Sequence, residues 1–253
     1  METASVHVNG IELVYDVVGS GPPIVLLHGF ASNRRDTWNS IRDVLAADGR
    51  RVLALDIRGH GDSEKPHESS AYEPSVLSRD VTGFLEALSI QQTDLLGYSM
   101  GARIAMQVLA DDPERINTAI LAGVGERTLR ETRYNDSIAA ALAADNPDTI
   151  EDETAKQFRH FAAERGNDLT ALAAFRRAPQ VGLVLDRQDL AAIETPVLVA
   201  AGSNDVLVGS PDPLAAAFQN ATAAVIPDCD HLETVDSSAF ESAILAYLAQ
   251  YGL

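Results

Sequence analysis

The chain of 253 residues contains a single cysteine, Cys229, and only two lysines, Lys65 and Lys156. One cysteine excludes an internal disulfide and any metal cluster built from several thiolates. Acidic residues outnumber basic ones by 37 to 19, which gives a formal net charge of −18. Because nucleic acids and anionic membranes are bound by clustered basic side chains, neither is expected as a partner.

Long apolar runs are also missing, since none approaches the roughly 20 residues that a membrane span requires. The first residues, 1–5, lack the basic and apolar regions of a signal peptide, so we expect a cytoplasmic protein. Aromatic residues make up only 6% of the chain and give no sign of a stacking site. No histidines stand at metal-ligand spacing, and neither a metal nor a cofactor is expected. Nothing in the sequence points to an oligomeric state.

What the chain does contain is an alternation of short apolar runs with helical patterns. A hairpin is indicated around Asn9-Gly10. Residues 24–27 are continuously apolar, as is typical of a strand buried on both faces, and further strands are predicted at 51–55, 94–97, 116–122, 196–201 and 223–227. Helical spacing of apolar residues is found at 38–47, 76–88 and 240–251. This alternation predicts an α/β fold with a mostly parallel, eight-stranded sheet flanked by helices.

The alternation is interrupted between residues 125 and 193, where no run reads as a parallel strand. Helical patterns occur there at 136–144, 151–165 and 169–177. Simple crossovers are much shorter than this segment. We therefore expect a helical lid inserted after the sixth strand, over the carboxyl edge of the sheet. The expected division is a core domain of residues 1–124 and 194–253 and a cap of residues 125–193.

A serine stands between two glycines in Gly97-Tyr98-Ser99-Met100-Gly101, directly after a predicted strand and before a helix. A serine at the apex of such a sharp turn has a strained backbone, and its neighbours must be nearly free of side chains. The turn exposes Oγ, and the N–H of Met100 lies at the helix N-terminus, where it can stabilise an oxyanion.

Two further residues complete a candidate catalytic set, because each follows a later predicted strand. Asp205 ends Gly202-Ser203-Asn204-Asp205, and His231 follows the last strand. A serine hydroxyl needs a histidine to take its proton, and a carboxylate must fix the tautomer of that histidine. Asp228 and Asp230 are alternative acids, but Asp230 adjoins the histidine in the chain, so its side chain should point elsewhere.

With these residues the chain resembles the α/β-hydrolase fold family, close to its lidded esterases, enol-lactonases and haloperoxidase-like members. The resemblance covers nearly the whole chain. It is carried by His28-Gly29-Phe30, Asp56-x-Arg58-Gly59-His60-Gly61-x-Ser63, Gly97-x-Ser99-x-Gly101, Gly202-x-x-Asp205 and His231. It implies that Ser99 is the nucleophile, His231 the general base and Asp205 the acid that orients the base.

The resemblance also implies that the backbone N–H groups of Phe30 and Met100 form an oxyanion hole. His28, Gly29, Tyr98 and Leu232 are expected to line the substrate pocket. Arg58 and His60 are expected to be structural. Two positions differ from the family pattern. Asp230 stands directly before the base where glycine is common, and its charge could raise the pKa of the base. Ala102 follows Gly101 at a position where a second glycine is frequent.

These features predict a serine hydrolase that cleaves a small ester or lactone through an acyl-enzyme on Ser99. Epoxide hydrolases and haloalkane dehalogenases of this fold carry aspartate at the same turn, so Ser99 favours acyl chemistry. The alternatives are carbon–carbon bond hydrolysis or cofactor-free perhydrolysis on the same residues, and a non-catalytic ligand-binding protein. Arg176 and Arg177 in the predicted lid could hold an anionic substrate.

Overall fold

One sheet of eight strands organises the molecule. The structure, a computed structural model, describes residues 1–129, 136–178 and 185–253. The spatial order of its strands is β1-β2-β4-β3-β5-β6-β7-β8. Their bounds are β1 Glu2–Val8, β2 Ile11–Val18, β3 Pro23–Leu27, β4 Arg51–Leu55, β5 Thr93–Tyr98, β6 Ile116–Ala122, β7 Val197–Gly202 and β8 Ala221–Ile226.

Strand pairing is antiparallel at one edge of the sheet and parallel elsewhere. β1 and β2 form a hairpin whose turn, Asn9-Gly10, has positive φ at both residues (48° and 79°), as a tight two-residue hairpin loop requires. β2 also pairs antiparallel with β4. The remaining pairs, from β4 through β3 to β8, are parallel. The predicted mostly parallel, eight-stranded sheet is therefore confirmed.

Helices connect the parallel strands and cover the sheet. Their bounds are α1 Arg34–Thr37, α2 Ile41–Ala47, α3 Pro74–Ala87, α4 Met100–Asp111, α5 Asp136–Ala143, α6 Glu153–Glu164, α7 Leu169–Arg177, α8 Arg187–Ala191, α9 Asp212–Ala215 and α10 Ser238–Tyr251. Short 3₁₀ turns occupy Ser69–Tyr72, Pro113–Arg115, Glu126–Leu129, Pro147–Thr149 and Thr234–Asp236. Among the described residues, no helix has both the length and the apolar character needed to cross a bilayer.

The core has two layers because successive residues of each buried strand point to opposite faces of the sheet. Leu95 packs into the cluster beneath α3 and α4, whereas Leu96 packs with Trp38 and with Phe240 of α10. Strands covered on both faces hold their carboxyl ends rigidly at one edge. That edge is where ligands bind in open α/β sheets.

The sequence predicted one helix over residues 38–47, but the structure has two, α1 and α2. The first begins earlier because the side chain of Asn33 accepts hydrogen bonds from the N–H groups of Arg35 and Asp36 and so caps it. Trp38, fully buried, lies between the two helices. The apolar spacing of residues 38–47 therefore predicted burial on one face, but it did not predict the interruption between α1 and α2.

We call residues 125–193 the helical insertion, since α5, α6 and α7 lie between β6 and β7. Leu142, Ala162 and Leu172 of these helices form a small apolar cluster with Ala31, which follows β3. The side-chain amide of Asn167 also donates to the carbonyl of Ala31 at 3.0 Å. The insertion thus packs against the loop after β3, and its division from the core as a separate lid remains a prediction.

Candidate active site

Ser99 occupies the sharp turn between β5, which ends at Tyr98, and α4, which begins at Met100. Its backbone has φ 53° and ψ −106°, a combination that costs a non-glycine residue of order 1–3 kcal/mol. The Ser99 N–H donates to the carbonyl of Ala122 on β6 at 2.7 Å, which holds the turn in place. The fold therefore maintains a strained conformation at the residue that the sequence identified as the candidate nucleophile.

The two flanking glycines are required by the close approach of strand and helix. A Cβ at Gly101 would lie 1.9 Å from the carbonyl oxygen of Leu27 on β3. A Cβ at Gly97 would lie 2.4 Å from the carbonyl oxygen of Gly101. Both obstacles are backbone atoms, which cannot move aside as a flexible side chain would. The pattern of glycines around Ser99 is thus explained by sterics.

The structure brings Ser99, His231 and Asp205 together at the carboxyl edge of the sheet. The His231 Nε2 atom is 3.0 Å from the Ser99 Oγ atom, and His231 Nδ1 is 2.7 Å from Asp205 Oδ2. Since a carboxylate only accepts, Nδ1 carries the proton and Nε2 is left to accept from the serine hydroxyl. This is the arrangement in which an imidazole can remove the hydroxyl proton.

Asp205 is held firmly while Asp230 is engaged elsewhere. Asp205 is 4% exposed, and its Oδ1 accepts hydrogen bonds from the N–H groups of Leu207 (3.0 Å) and Val208 (3.3 Å). The Asp230 carboxylate accepts from the N–H groups of Leu232 and Glu233, and these hydrogen bonds lower the pKa of that carboxyl. Asp205, and not its competitor, is therefore the partner of the imidazole.

Tyr98 and Gly29 lie beside this group and line the adjoining cavity. The Tyr98 hydroxyl donates to the carbonyl of His231, and burial raises the pKa of the phenol above its usual range. Tyr98 therefore tethers the loop that carries the histidine. Gly29 lies against the nucleophile, because a Cβ built on it would be 3.7 Å from the Ser99 Cβ.

The two amides expected to form an oxyanion hole belong to residues that line the cavity together with Ser99. Met100 is the first residue of α4, so its N–H is one of those left without a partner inside the helix. Phe30 follows Gly29 in the loop after β3, and both Phe30 and Met100 line the cavity. Their placement is compatible with the expected role, which stays a prediction.

His28 differs from its expected place in the pocket wall. The side chain is 0% exposed and does not line the cavity, because both ring nitrogens are turned to backbone groups. Nδ1 lies 2.8 Å from the carbonyl of Gly29, and Nε2 accepts from the N–H of Ile57 at 3.1 Å. Burial lowers the pKa of His28 to about 4, so the ring is neutral near pH 7. Through these two contacts the His28 ring holds the loop that leads to Phe30.

A set of buried ion pairs holds the other loops at this edge. Arg34 binds Asp56 and lies 3.0 Å from Asp16. Arg58 binds Asp80 through two hydrogen bonds of 2.6 and 2.7 Å, which gives it the structural role expected from the sequence. Pairing of this kind offsets the cost of removing the guanidinium groups from water.

A cavity of about 770 Å³ opens beside Ser99. Its walls come from the loops of the core and from α5, α6 and α7 of the helical insertion. The lining residues are Gly29, Phe30, Ser32, Asp36, Thr37, Tyr98, Ser99, Met100, Arg103, Ile138, Thr154, Gln157, Phe158, Phe161, Arg165, Phe175, Arg176, Leu207, Val208, His231, Leu232, Val235 and Asp236. Its size suits a small organic molecule.

Four of the seven phenylalanines of the chain line this cavity, which the low aromatic content did not suggest. Phe30 stacks on Phe158, with ring centroids 5.6 Å apart and an angle of 19° between the planes. Phe175 packs against Phe30 at 5.3 Å, and Phe161 against Phe158 at 6.1 Å. The available sequence signal for these rings was the spacing of Phe158 and Phe161, since residues three apart lie on one face of the predicted helix.

Among the residues that the structure describes, three arginines also line the cavity: Arg103 of α4, Arg165 at the end of α6 and Arg176 of α7. The sequence suggested Arg176 and Arg177 together, but only Arg176 lines the cavity, and Arg177 is exposed. Arg103 and Arg165 were not identified from the sequence. Within the described ranges, no three His, Cys, Asp or Glu side chains cluster in a way that would hold a metal ion.

A model of the α/β-hydrolase fold family matches residues 22–181, which is more than half of the chain. The chain belongs to the α/β-hydrolase fold family. The resemblance inferred from the sequence is thereby confirmed. The fold and the relatives also support the assignment of this protein as a hydrolase.

Among solved structures, the α/β-hydrolase chain is similar to a hydrolase from Pseudomonas aeruginosa, with a TM-score of 0.78 and 26% identity over 97% of this chain and 98% of that one. An enol-lactonase from Burkholderia xenovorans gives a TM-score of 0.81 at 24% identity, over 98% and 100% of the two chains. The second likeness concerns the fold alone.

A curated relative, epoxide hydrolase 3 of Siraitia grosvenorii, is 33% identical over 123 residues, 47% of this chain. That match spans only 38% of the relative's own length. The neighbours of this chain thus include several kinds of hydrolase.

Proposed function

We propose that this protein is a serine hydrolase that cleaves a small carboxylic ester or lactone through an acyl-enzyme on Ser99. The observation that carries the proposal is the hydrogen-bonded chain in which His231 lies 3.0 Å from the Ser99 hydroxyl and 2.7 Å from the Asp205 carboxylate. A serine hydroxyl is otherwise too weak a nucleophile to attack a carbonyl.

In the first half of the reaction, Ser99 Oγ attacks the carbonyl carbon while His231 Nε2 takes the hydroxyl proton. Asp205 stabilises the resulting imidazolium through Nδ1. The negative oxygen of the tetrahedral intermediate rests on the N–H groups of Phe30 and Met100. His231 then gives its proton to the leaving alkoxide, and the acyl group stays on Ser99.

In the second half, a water molecule gives its proton to His231 and attacks the acyl carbon. The tetrahedral intermediate collapses, the acid leaves, and His231 returns the proton to Ser99. The lactone case differs only in that alcohol and acid belong to one molecule.

The nature of the nucleophile separates this proposal from epoxide opening. Epoxide hydrolases of this fold use an aspartate, whose carboxylate forms an alkyl ester that water can hydrolyse. A serine would form an ether with an epoxide, and water does not cleave an ether under these conditions. Ser99 therefore supports acyl transfer despite the epoxide hydrolase names among the relatives.

A fluorophosphonate probe and a p-nitrophenyl acetate assay test the proposal together. We expect one adduct on the peptide that contains Ser99, loss of hydrolysis in proportion to labelling, and neither adduct nor turnover in Ser99→Ala. The Ser32→Ala variant, which alters another serine of the cavity, is the control and should still be labelled. Unchanged hydrolysis by Ser99→Ala, or labelling at another residue, would refute the proposal.

A further inference from the structure

We propose that Leu207 and Leu232 bind an apolar alcohol chain of the substrate, whereas the phenylalanine rings of the cavity bind its acyl part. The inference rests on the serine hydrolase function proposed above and specifies its substrate class. That class is an ester of an alkyl alcohol, or a lactone with an alkyl chain on the carbon that bears the ring oxygen. We call the side chains of Leu207 and Leu232 the rim of the cavity, as distinct from its walls.

Large apolar side chains that stay exposed are few in the described part of the chain, and they gather after two residues of the candidate active site. Apart from the first and last residues of the sequence and Val225 on β8, they are Val206, Leu207 and Leu232. These three follow Asp205 and His231 within two residues. Scattered exposed apolar residues are ordinary on a protein surface, but apolar residues gathered at a cavity indicate contact with an apolar ligand.

The two rim residues line the cavity that contains Ser99. Leu207 is 64% exposed and Leu232 is 63% exposed, so each presents most of its hydrocarbon to solvent at the edge of the cavity. Their loops are held through the backbone. The Leu207 N–H donates to Asp205 Oδ1 at 3.0 Å, and the Leu232 N–H donates to Asp230 Oδ1 at 2.8 Å. A change of the leucine side chains therefore leaves these hydrogen bonds in place.

The path of the proton places the leaving alcohol beside the rim. In the proposed reaction His231 Nε2 gives a proton to the leaving oxygen, which must come within hydrogen-bond reach of that nitrogen. Leu232 is joined to His231 by a peptide bond. The Leu207 N–H binds one oxygen of Asp205, and the other oxygen lies 2.7 Å from His231 Nδ1. An alkyl chain that extends from the leaving oxygen towards solvent therefore meets the rim.

The acyl part is assigned to the rings through the candidate oxyanion hole. In the proposed reaction the acyl oxygen rests on the N–H groups of Phe30 and Met100. The Phe30 ring stacks on Phe158 with centroids 5.6 Å apart and packs against Phe175 at 5.3 Å. The residue that would bind the oxyanion thus also belongs to the set of rings. An acyl chain on the same carbonyl carbon extends along these rings and not along the rim.

Covering the rim with hydrocarbon is favourable because apolar surface leaves water on both the leucines and the chain. Full burial of one methylene corresponds to a factor of about four in an equilibrium constant. A chain at the edge of the cavity keeps one side in solvent. We therefore expect kcat/KM for alkyl acetates to rise about twofold with each methylene added to the alcohol.

Two isomeric esters test the assignment, because hexyl acetate carries its long chain on the alcohol and ethyl hexanoate carries it on the acid. We expect Leu207→Ser and Leu232→Ser each to lower kcat/KM for hexyl acetate about fourfold, the effect of one methylene no longer buried, and to leave that for ethyl hexanoate unchanged. Phe158→Ala should do the reverse. Leu232→Met, which keeps an apolar side chain of similar volume, should restore the wild-type ratio. Val206→Ser, an exposed neighbour that does not line the cavity, is the matched control.

A binding measurement separates this inference from the proposed reaction. Calorimetric titration of the Ser99→Ala protein with each of the two esters requires no turnover. Weaker binding of hexyl acetate, but not of ethyl hexanoate, after adding Leu207→Ser would support the inference even if Ser99 hydrolysed nothing. Hydrolysis that depends on Ser99, together with equal losses on both esters in the rim variants, would overturn the inference and leave the serine hydrolase standing.

The mass of the protein in solution is a second readout, because a second copy of the chain could also cover exposed leucines. We expect light scattering to give the same mass for the wild type, Leu207→Ser and Leu232→Ser. A dimer that both substitutions dissociate, with an unchanged ratio of kcat/KM for the two esters, would assign the rim to a protein interface and overturn the inference.

Discussion

The cavity has a core wall, built by Gly29, Ser99 and His231 and their loops, and an insertion wall, built by Phe158, Phe161, Phe175 and Arg176. The core wall is held by short hydrogen bonds, by buried ion pairs and by the close backbone approach at Gly97 and Gly101, where a Cβ would meet backbone atoms. The insertion wall is held by contacts between rings at centroid distances of 5.3–6.1 Å.

This difference separates two tasks. Directional hydrogen bonds fix atoms to within tenths of an ångström, which proton transfer requires. Packing of rings tolerates substitution of similar volume and is therefore suited to adjusting which substrate fits. We expect changes in the core wall to abolish turnover or folding, and changes in the insertion wall to alter the choice of substrate.

The largest effect is expected for Asp205→Asn. The amide would present an NH₂ group to His231 Nδ1, which favours the wrong tautomer and removes the charge that stabilises the imidazolium. We expect kcat for p-nitrophenyl acetate to fall by about ten thousand-fold. Asp230→Asn is the control, because that carboxylate is engaged by backbone N–H groups. A greater loss for Asp230→Asn than for Asp205→Asn would reverse the assignment of the acid.

Gly101→Ala tests whether the core wall depends on backbone sterics. The added Cβ would lie 1.9 Å from the Leu27 carbonyl oxygen, so β3 and α4 must move apart. We expect the free energy of unfolding to fall by about 3 kcal/mol, measured by urea denaturation. Gly83→Ala on α3 is the control; its nearest neighbour would be the Asn9 side chain at 3.3 Å, and a change within about 1 kcal/mol is expected. Equal losses in both variants would contradict the steric explanation.

Acid should weaken the core wall through His28 and His60, both 0% exposed. Burial lowers the pKa of His28 to about 4 and that of His60 to about 3, whereas the unfolded chain binds these protons near pH 6.5. Below pH 6.5 the unfolded chain takes up protons that the two buried histidines of the folded protein do not. The free energy of unfolding is therefore highest above pH 6.5 and falls as the pH approaches 4 and 3, by up to about 1.4 kcal/mol per pH unit for each histidine.

Urea denaturation between pH 7 and pH 5 measures this slope. His60→Gln should reduce the slope even if it lowers stability at pH 7, because one of the two buried histidines with a lowered pKa is gone. His7→Gln, at an exposed position of β1, is the control and should leave the slope unchanged. The same slope in His60→Gln as in the wild type would show that another group causes the acid sensitivity.

The smallest effect is expected for Phe158→Ala in the insertion wall. The variant loses the stacked contact with Phe30 at 5.6 Å, an interaction worth about 1 kcal/mol. We expect KM for p-nitrophenyl butyrate to rise about fivefold, with a smaller change for the acetate, which reaches fewer rings. His160→Ala, exposed on the same helix, is the control. A fall in kcat comparable to that of Asp205→Asn would break the contrast between the walls.

The core wall could be predicted from the sequence because its signals are local. Continuous apolar runs such as 24–27 predicted strands, and the residues directly after such strands share one edge of the sheet. Ser99, Asp205 and His231 were therefore expected to meet although they are far apart in the chain. His28 was misplaced because its orientation depends on Ile57, a backbone partner supplied by another strand end.

The insertion wall could not be predicted to the same depth. Whether Arg176 or Arg177 enters the cavity depends on the rotation of α7, and neighbouring residues on a helix point about 100° apart. Arg103 lies on α4, and the sequence of that helix does not indicate that its side chain reaches a cavity. The contacts among the rings arise between helices, so the spacing along one helix does not reveal them.

The left-handed backbone at Ser99 belongs to the turn rather than to the serine. Its φ of 53° is fixed by neighbouring glycines and by the bond to Ala122, so another side chain at this position would emerge in the same direction. A thiol introduced there would be carried by the same Cβ and would face the same imidazole, that of His231. The backbone of the turn thus sets the direction of the side chain, whereas the residue type sets which atom reacts. A single substitution at this position can therefore change the reactive atom and leave the direction of its Cβ unchanged.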